Sequence, residues 1–126
     1  MTYIKNIPAF APDGTVTYTG TSAYGIVALW QDNKEKLILS THNQVMIPSS
    51  TTTKTFGDYF RIMKTTTGNA SVWYPANSTT YFDGSVYTNT SAVDGLGLGG
   101  AVLPFKIYTF VYLGGSGGGI WAGGVT

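Results

Sequence analysis

Few side chains in this sequence suit acid–base or nucleophilic chemistry. The single histidine, His42, lies between Thr41 and Asn43, a pattern typical of a turn between two strands. A catalytic triad needs a histidine, a serine and an acid brought together, and the strand–turn–helix pattern of a nucleophile elbow is absent. A glycosidase pair would have to come from Asp58 and Asp83, and nothing in their spacing favours it. We therefore predict no catalytic residues and a protein that is not an enzyme.

The sequence also gives little support to a metal or cofactor site. It contains no cysteine, which excludes disulfides and thiolate ligands. Asp83 and Asp94 are isolated from other oxygen or imidazole ligands, so no metal site is predicted. The glycine-rich stretches 94–100 and 114–119 lack the Lys-Ser/Thr pair and the following helix that a phosphate-binding loop needs. We expect no bound cofactor.

Aromatic side chains close to amide side chains provide the candidate binding surface. Such rings can stack on sugars while the amides bind sugar hydroxyls. The alternative is that these rings fill the core or a subunit interface, which a content of 14% aromatic residues favours. No basic residues are interleaved with the rings, so a single-stranded nucleic acid is not an expected partner. The carbohydrate-binding alternative rests on Trp73, Tyr74, Asn77 and Tyr81.

Length and charge limit the class of protein. A chain of 126 residues is sufficient for one domain with one core. Charged residues make up 10% of it, against about 25% in an average soluble domain, which excludes a solvated helical bundle, a coiled coil and a charged disordered chain. The net charge of +1 predicts no nucleic-acid partner. No continuous run of 18 apolar residues occurs, so we predict no membrane insertion.

Strand patterns separated by turn residues recur along the chain. Residues 15–19 alternate threonine with Val16 and Tyr18, and Asp83-Gly84 between two β-rich runs predicts a hairpin. Residues 56–64 are compatible with a strand or a short helix. No segment has a sustained helical period. We predict a single antiparallel β-sandwich or barrel-like domain over 15–113, with an extended N-terminal arm over 1–14 and a glycine-rich C-terminal tail over 114–126.

The second half of the sequence suggests a partner. Residues 65–126 carry three of the thirteen charged groups. The run 105–113 is apolar on both of its strand faces, and such a strand must be covered on both sides. The tail places an Ile-Trp pair after five glycines and one serine, a pattern that suggests an anchor on a tether. We predict a homo-oligomer or partner interface at Phe105, Tyr108, Phe110, Tyr112, Ile120 and Trp121.

These features together resemble small bacteriophage virion proteins of the head-decoration, head-fibre or tail-fibre-tip kind. The resemblance extends over the whole chain: threonine-, glycine- and tyrosine-rich strands, no cysteine, low charge, a proline-containing N-terminal arm and an apolar glycine-rich C-terminus. It matches no specific motif, so it transfers no functional residue. It implies a structural subunit located in a virion, assembling as a homo-oligomer and docking on other virion proteins. The fibre analogy favours a trimer.

Overall fold

The computed structural model describes residues 15–18, 37–48 and 53–126. The predicted arm over 1–14 lies outside them. The described part contains strands and no helix, which confirms the all-β prediction. Across these three ranges, ten strands follow in chain order: β1 (Thr15–Tyr18), β2 (Leu37–Ser40), β3 (Gln44–Met46), β4 (Tyr59–Lys64), β5 (Ala70–Tyr74), β6 (Ser78–Phe82), β7 (Ser85–Asn89), β8 (Gly95–Val102), β9 (Ile107–Tyr112) and β10 (Gly119–Val125). The ambiguous run 56–64 is thus a turn followed by β4.

The strands form two sheets that share one core. The larger sheet has the order β1-β2-β4-β9-β10-β6-β7, and the smaller has the order β3-β5-β8. Buried side chains from both sheets belong to one apolar cluster, as in a β-sandwich. The larger sheet contributes Ile38, Phe60, Ile62, Phe82, Tyr108, Phe110 and Trp121; the smaller sheet and its flanks contribute Val45, Met46, Ile47, Ala70, Val72, Tyr74 and Val102.

The expectation of a purely antiparallel domain is wrong, because both sheets are mixed. Four pairs of the described strands are parallel: β1 with β2, β2 with β4, β3 with β5, and β6 with β10. The chain alternates between the sheets from β2 to β5. β3 therefore lies between β2 and β4 along the chain, and β4 lies between β3 and β5. The two strands of each of these pairs run in the same direction. For β2 with β4 and for β3 with β5, the intervening strand of the other sheet supplies the crossover that parallel pairing requires.

The predicted hairpin is present with the expected turn. β6 and β7 pair antiparallel from Ser78↔Asn89 to Phe82↔Ser85, which leaves Asp83 and Gly84 as a two-residue loop. Their φ angles of 48° and 81° are both positive, as a type I′ turn requires. Glycine adopts this conformation without steric cost, and aspartate tolerates it.

The predicted division at residue 113 is wrong, because the glycine-rich C-terminal segment is part of the sandwich. β10 lies inside the larger sheet, antiparallel to β9 and parallel to β6. The preceding loop is also fixed: the Gly118 N–H donates to the carbonyls of Ala76 and Asn77 at 2.8 and 3.0 Å, and the Ile120 N–H donates to the carbonyl of Gly114 at 2.8 Å. Residues 114–126 therefore form a tight loop and a central strand, with no tether.

Glycine in β10 makes room for an aromatic stack across the larger sheet. Phe110 lies between Phe60 and Phe82, with ring centroids 5.0 and 5.4 Å away and interplanar angles of 9° and 15°. The three rings come from β4, β9 and β6, so the stack passes over β10 at Gly123. A Cβ atom on Gly123 would lie 2.6 Å from Phe110 Cδ2. A residue without a side chain at this position therefore permits the stack.

Candidate functional site

The structure places half of the predicted interface residues in the core. Tyr108, Phe110 and Trp121 are fully buried within the chain, so the prediction that they contact a partner is wrong. Tyr112 is half-buried between the Trp121 ring, 5.3 Å away, and the Lys54 ammonium, 5.2 Å from its centroid. Ile120 lies on the opposite face of β10 from Trp121 and is 38% exposed.

The inference that a neighbouring chain covers the second face of β9 is also corrected. β9 is a central strand whose neighbours are β4 and β10. Tyr108 and Phe110 are buried on the inner face, and Thr109 and Val111 are buried on the outer face. Since the chain itself covers both faces, the apolar character of β9 is explained without an oligomer.

The four residues predicted to bind carbohydrate do not form one surface. Trp73 lies on β5 in the smaller sheet, half-buried against the core, whereas Tyr81 lies on β6 in the larger sheet. Tyr74 is fully buried, and its hydroxyl donates to the Gly99 carbonyl at 2.6 Å. Burial, with a smaller contribution from Tyr87, raises the pKa of the Tyr74 phenol well above its usual range. Only Asn77 and Tyr81 of this set are exposed.

The carboxylates of the described segments are used to fix loops. Asp58 Oδ2 accepts the Thr55 N–H at 2.8 Å, and Asp94 Oδ1 accepts the Ala76 N–H at 2.9 Å. Asp83 Oδ1 accepts the Val125 N–H at 3.3 Å. Such bonds stabilise turns and strand ends. Within the described residues no group of three or more acidic, histidine or cysteine side chains could hold a metal ion.

His42 and Lys64 are both buried within the chain. His42 is 3% exposed, and its backbone N–H donates to Ser40 Oγ at 3.0 Å. Lys64, on the inner face of β4, extends its ammonium to Thr66 Oγ1 at 2.7 Å and to the carbonyls of Thr66 and Thr67 at 3.3 and 3.0 Å. A lysine can bury its aliphatic stem against apolar surface while its ammonium keeps polar partners.

One exposed loop combines apolar side chains with an unusual backbone. Leu103, Pro104 and Phe105, which we call the docking loop, connect β8 to β9. Phe105 is 58% exposed, and its φ of 63° lies in the left-handed region, which is rare for a bulky residue and costs about 1–2 kcal/mol. The loop is held at both ends. The Phe105 N–H donates to the Lys64 carbonyl at 2.8 Å, and the Leu103 N–H donates to the Tyr108 hydroxyl at 3.1 Å.

A second exposed feature is a groove of about 400 Å³ beside the β6–β7 hairpin. We call it the hairpin groove. Its walls are the outer face of β6 and β7, the start of β10 and the glycine-rich loop before β10. Among the residues that the structure describes, no charged side chain lines it. The exposed or half-buried side chains that line it are Asn77, Thr79, Thr88, Thr90, Ser116 and Ile120.

Sequence reasoning missed the threonines of this groove, although the pattern could have indicated them. The hairpin turn at Asp83-Gly84 sets Thr79 opposite Thr88, and alternation along β6 puts Thr79 and Tyr81 on one face. Threonine in strands is too common to single out by itself. Thr79 and Thr88 line a groove only because β10 lies beside β6, and the position of β10 is not apparent from the sequence.

Comparison with known proteins identifies no relative: no family model, no curated protein and no solved structure matches the chain. None of the described segments forms a helix long and apolar enough to cross a membrane.

Proposed function

We propose that this protein is a structural subunit of a viral particle, of the bacteriophage decoration or fibre kind, and that it works by docking on other virion proteins and on copies of itself. The docking loop carries this proposal, with Phe105 as its central contact. The role requires no chemical step. It is in keeping with the use of the described carboxylates as loop-fixing acceptors.

The conformation of Phe105 supports a role in binding. Residues held in sparsely populated backbone regions cost free energy, and they concentrate where proteins bind ligands or partners. Glycine would occupy this position without strain, yet the sequence has a phenylalanine whose ring is mostly in solvent. Its burial in a partner pocket would contribute about 1.5–3 kcal/mol.

The rigidity of the docking loop favours a specific contact. Pro104 forms a parallel bridge with Lys64, in addition to the hydrogen bonds that hold Leu103 and Phe105. A side chain that is already fixed in position loses little conformational entropy on association. Leu103, 37% exposed, adds apolar area beside the ring. A preformed aromatic side chain that enters a partner pocket is the kind of anchor around which interface hot spots form.

Replacement of Phe105 by glycine separates docking from folding. Phe105→Gly removes the ring and relieves about 1–2 kcal/mol of left-handed strain, which offsets the entropy of about 1 kcal/mol that glycine adds to the unfolded state. The folded monomer should therefore keep its stability. Association measured by sedimentation velocity should be weakened at least tenfold. Val93→Ser, which removes a 67% exposed side chain from another loop, is the matched control and should leave association unchanged.

Two results would contradict the proposal. One is a parent protein that sediments as a monomer at every concentration and binds no component of a virus particle. The other is a Phe105→Gly variant that associates like its parent. The location is tested by immunogold labelling of particles from the source of the gene: labelled heads or fibre tips are expected, whereas label confined to cell debris would exclude a virion subunit.

A further inference from the structure

The hairpin groove is built on three neighbouring strands in fixed register. Thr88 of β7, Thr79 of β6 and Ile120 of β10 are direct cross-strand partners. With strands about 4.8 Å apart, the row Thr88–Thr79–Ile120 spans roughly 10 Å. Two hydroxyl groups and one apolar side chain therefore stand side by side on a rigid surface, where a binding site is held more precisely than on a loop.

An aromatic ring extends the same face. Tyr81 follows Thr79 by two residues on β6, so its side chain leaves the same face about 7 Å further along. Its direct partners are Val86 on β7 and Ala122 on β10, and Tyr81 itself is 49% exposed. The surface thus runs from hydroxyl and amide groups at one end to an accessible ring at the other.

The polar side chains of the groove are available to a ligand. In the described part of the chain, the hydroxyls of Thr79, Thr88, Thr90 and Ser116 and the side-chain amide of Asn77 take part in no hydrogen bond with the protein. Hydroxyl and amide groups both donate and accept hydrogen bonds. Their neighbours Ser78 and Asn89 differ, since Ser78 donates to the Pro75 carbonyl and Asn89 donates to the carbonyls of Tyr74 and Val93.

The wall formed by the glycine-rich loop is fixed by close backbone packing. Asn77 has a φ of 49°, and its carbonyl accepts the Gly118 N–H at 3.0 Å. A Cβ atom on Gly117 would lie 2.8 Å from the Asn77 carbonyl oxygen and from Asn77 Cβ. The loop therefore holds Asn77 at the mouth of the groove and does not need to rearrange to form it.

The chemistry of this surface selects a class of ligand. A phosphate, carboxylate or ammonium group would need an opposite charge to offset its desolvation, and the described residues that line the groove carry none. A neutral molecule with many hydroxyl groups on one edge and C–H groups on a flat face matches both ends of the surface. We infer that the hairpin groove is a binding site for a neutral saccharide, with Thr79, Thr88 and Asn77 binding hydroxyls and Tyr81 stacking on a sugar ring.

The test uses an array of immobilised neutral oligosaccharides, followed by calorimetry with the free oligosaccharide that binds best. The full chain should bind at least one of them, and affinity should not change when sodium chloride is raised, because no ion pair forms. Thr79→Val combined with Thr88→Val keeps side-chain shape and strand preference but removes both hydroxyls. It should weaken binding about tenfold or more, at the usual strength of two hydrogen bonds. Thr67→Val, an exposed threonine outside the groove, is the control.

Three outcomes would overturn the inference. They are no binding to any neutral oligosaccharide of the array, binding that the double variant leaves unchanged, and a double variant that alters sedimentation while sugar binding persists. The last would make the groove a contact between copies of the chain. Because Phe105 lies outside the groove, a Phe105→Gly variant should keep its sugar binding, and failure of the docking proposal would be recognised separately.

Discussion

Replacing Trp121 by alanine tests whether the C-terminal segment belongs to the core of the chain itself. The indole is fully buried on the inner face of β10, and its Nε1–H donates to the Gly118 carbonyl at 3.1 Å. Its ring packs edge-on against Phe60, with centroids 6.1 Å apart, and against Tyr112 at 5.3 Å. Removal of a buried aromatic side chain costs about 3–5 kcal/mol, and this includes the cavity left behind.

Such a loss is a large fraction of the free energy of unfolding, which for most domains is about 5–15 kcal/mol. With a denaturant slope of about 2 kcal/mol/M, the urea midpoint should fall by roughly 2 M in a circular dichroism titration. Ile120→Ala is the matched control, because Ile120 is the adjacent residue on the same strand and points to the exposed face. It should cost less than about 1 kcal/mol.

A different set of results would refute this reasoning. If Trp121→Ala destabilises the chain no more than Ile120→Ala does, but impairs association, the indole belongs to an intermolecular contact after all. Deletion of residues 114–126 extends the test. It removes the strand between β9 and β6, so we expect the domain to unfold, whereas a detachable tail would leave a folded sandwich.

Three further predictions concern single side chains. Gly123→Ala should destabilise the fold by about 1–3 kcal/mol, because the new methyl group would overlap Phe110, which is held by stacked rings on both sides. A change below about 0.5 kcal/mol in urea unfolding would show that the aromatic rings can move to make room. The pKa of Tyr74 is raised in the folded state, so the contribution of its phenol to stability is complete below the unfolded pKa of about 10 and decreases as pH rises above that value. The thermal unfolding temperature of Tyr74→Phe should therefore depend less on pH above about 10 than that of the parent. An equal pH dependence in the two proteins would contradict the assignment. Asp94→Ala should lower the free energy of unfolding by about 1–2 kcal/mol, because it leaves the Ala76 N–H without its acceptor, whereas Asp94→Asn keeps an accepting oxygen and should lower it less. Equal losses of unfolding free energy in the two variants would show that the charge matters more than the hydrogen bond.

The hairpin and the all-β class could be predicted from the sequence, because each depends on residues that are close together in the chain. Asp83-Gly84 specifies a type I′ turn because both positions need positive φ, and this turn alone sets the register of β6 and β7. Alternation and frequent turn residues are enough to predict an all-β chain. The parallel pairs β2 with β4 and β3 with β5 are different, since each depends on a strand that crosses to the other sheet before the chain returns. The residues of either strand in such a pair do not indicate which distant strand it will pair with.

The glycine-rich C-terminus shows a second limit of sequence reasoning. Glycine serves as a flexible joint in solvent and as a spacer where two groups approach closely, and composition does not distinguish the two uses. At Gly118 and Gly119 added Cβ atoms would meet the Ala76 carbonyl and the Tyr112 ring. The tight packing that requires these glycines comes from strands distant in sequence. The low charge of residues 65–126 has a related explanation. This part of the chain includes the central strands β9 and β10, whose buried positions exclude charged side chains.

Assignment of Tyr108, Phe110 and Trp121 to the core changes what kind of association is to be expected. The large apolar side chains left exposed in the described residues include two small groups, Leu103 with Phe105 on the docking loop and Tyr81, Val86 and Ile120 on the hairpin face. Obligate subunits cover extensive apolar surface and rarely fold alone, whereas docking proteins bury compact patches. A chain that covers both faces of β9 by itself needs no partner to bury that strand. Under the proposed virion role, we therefore expect a domain that folds first and attaches afterwards through a few fixed side chains.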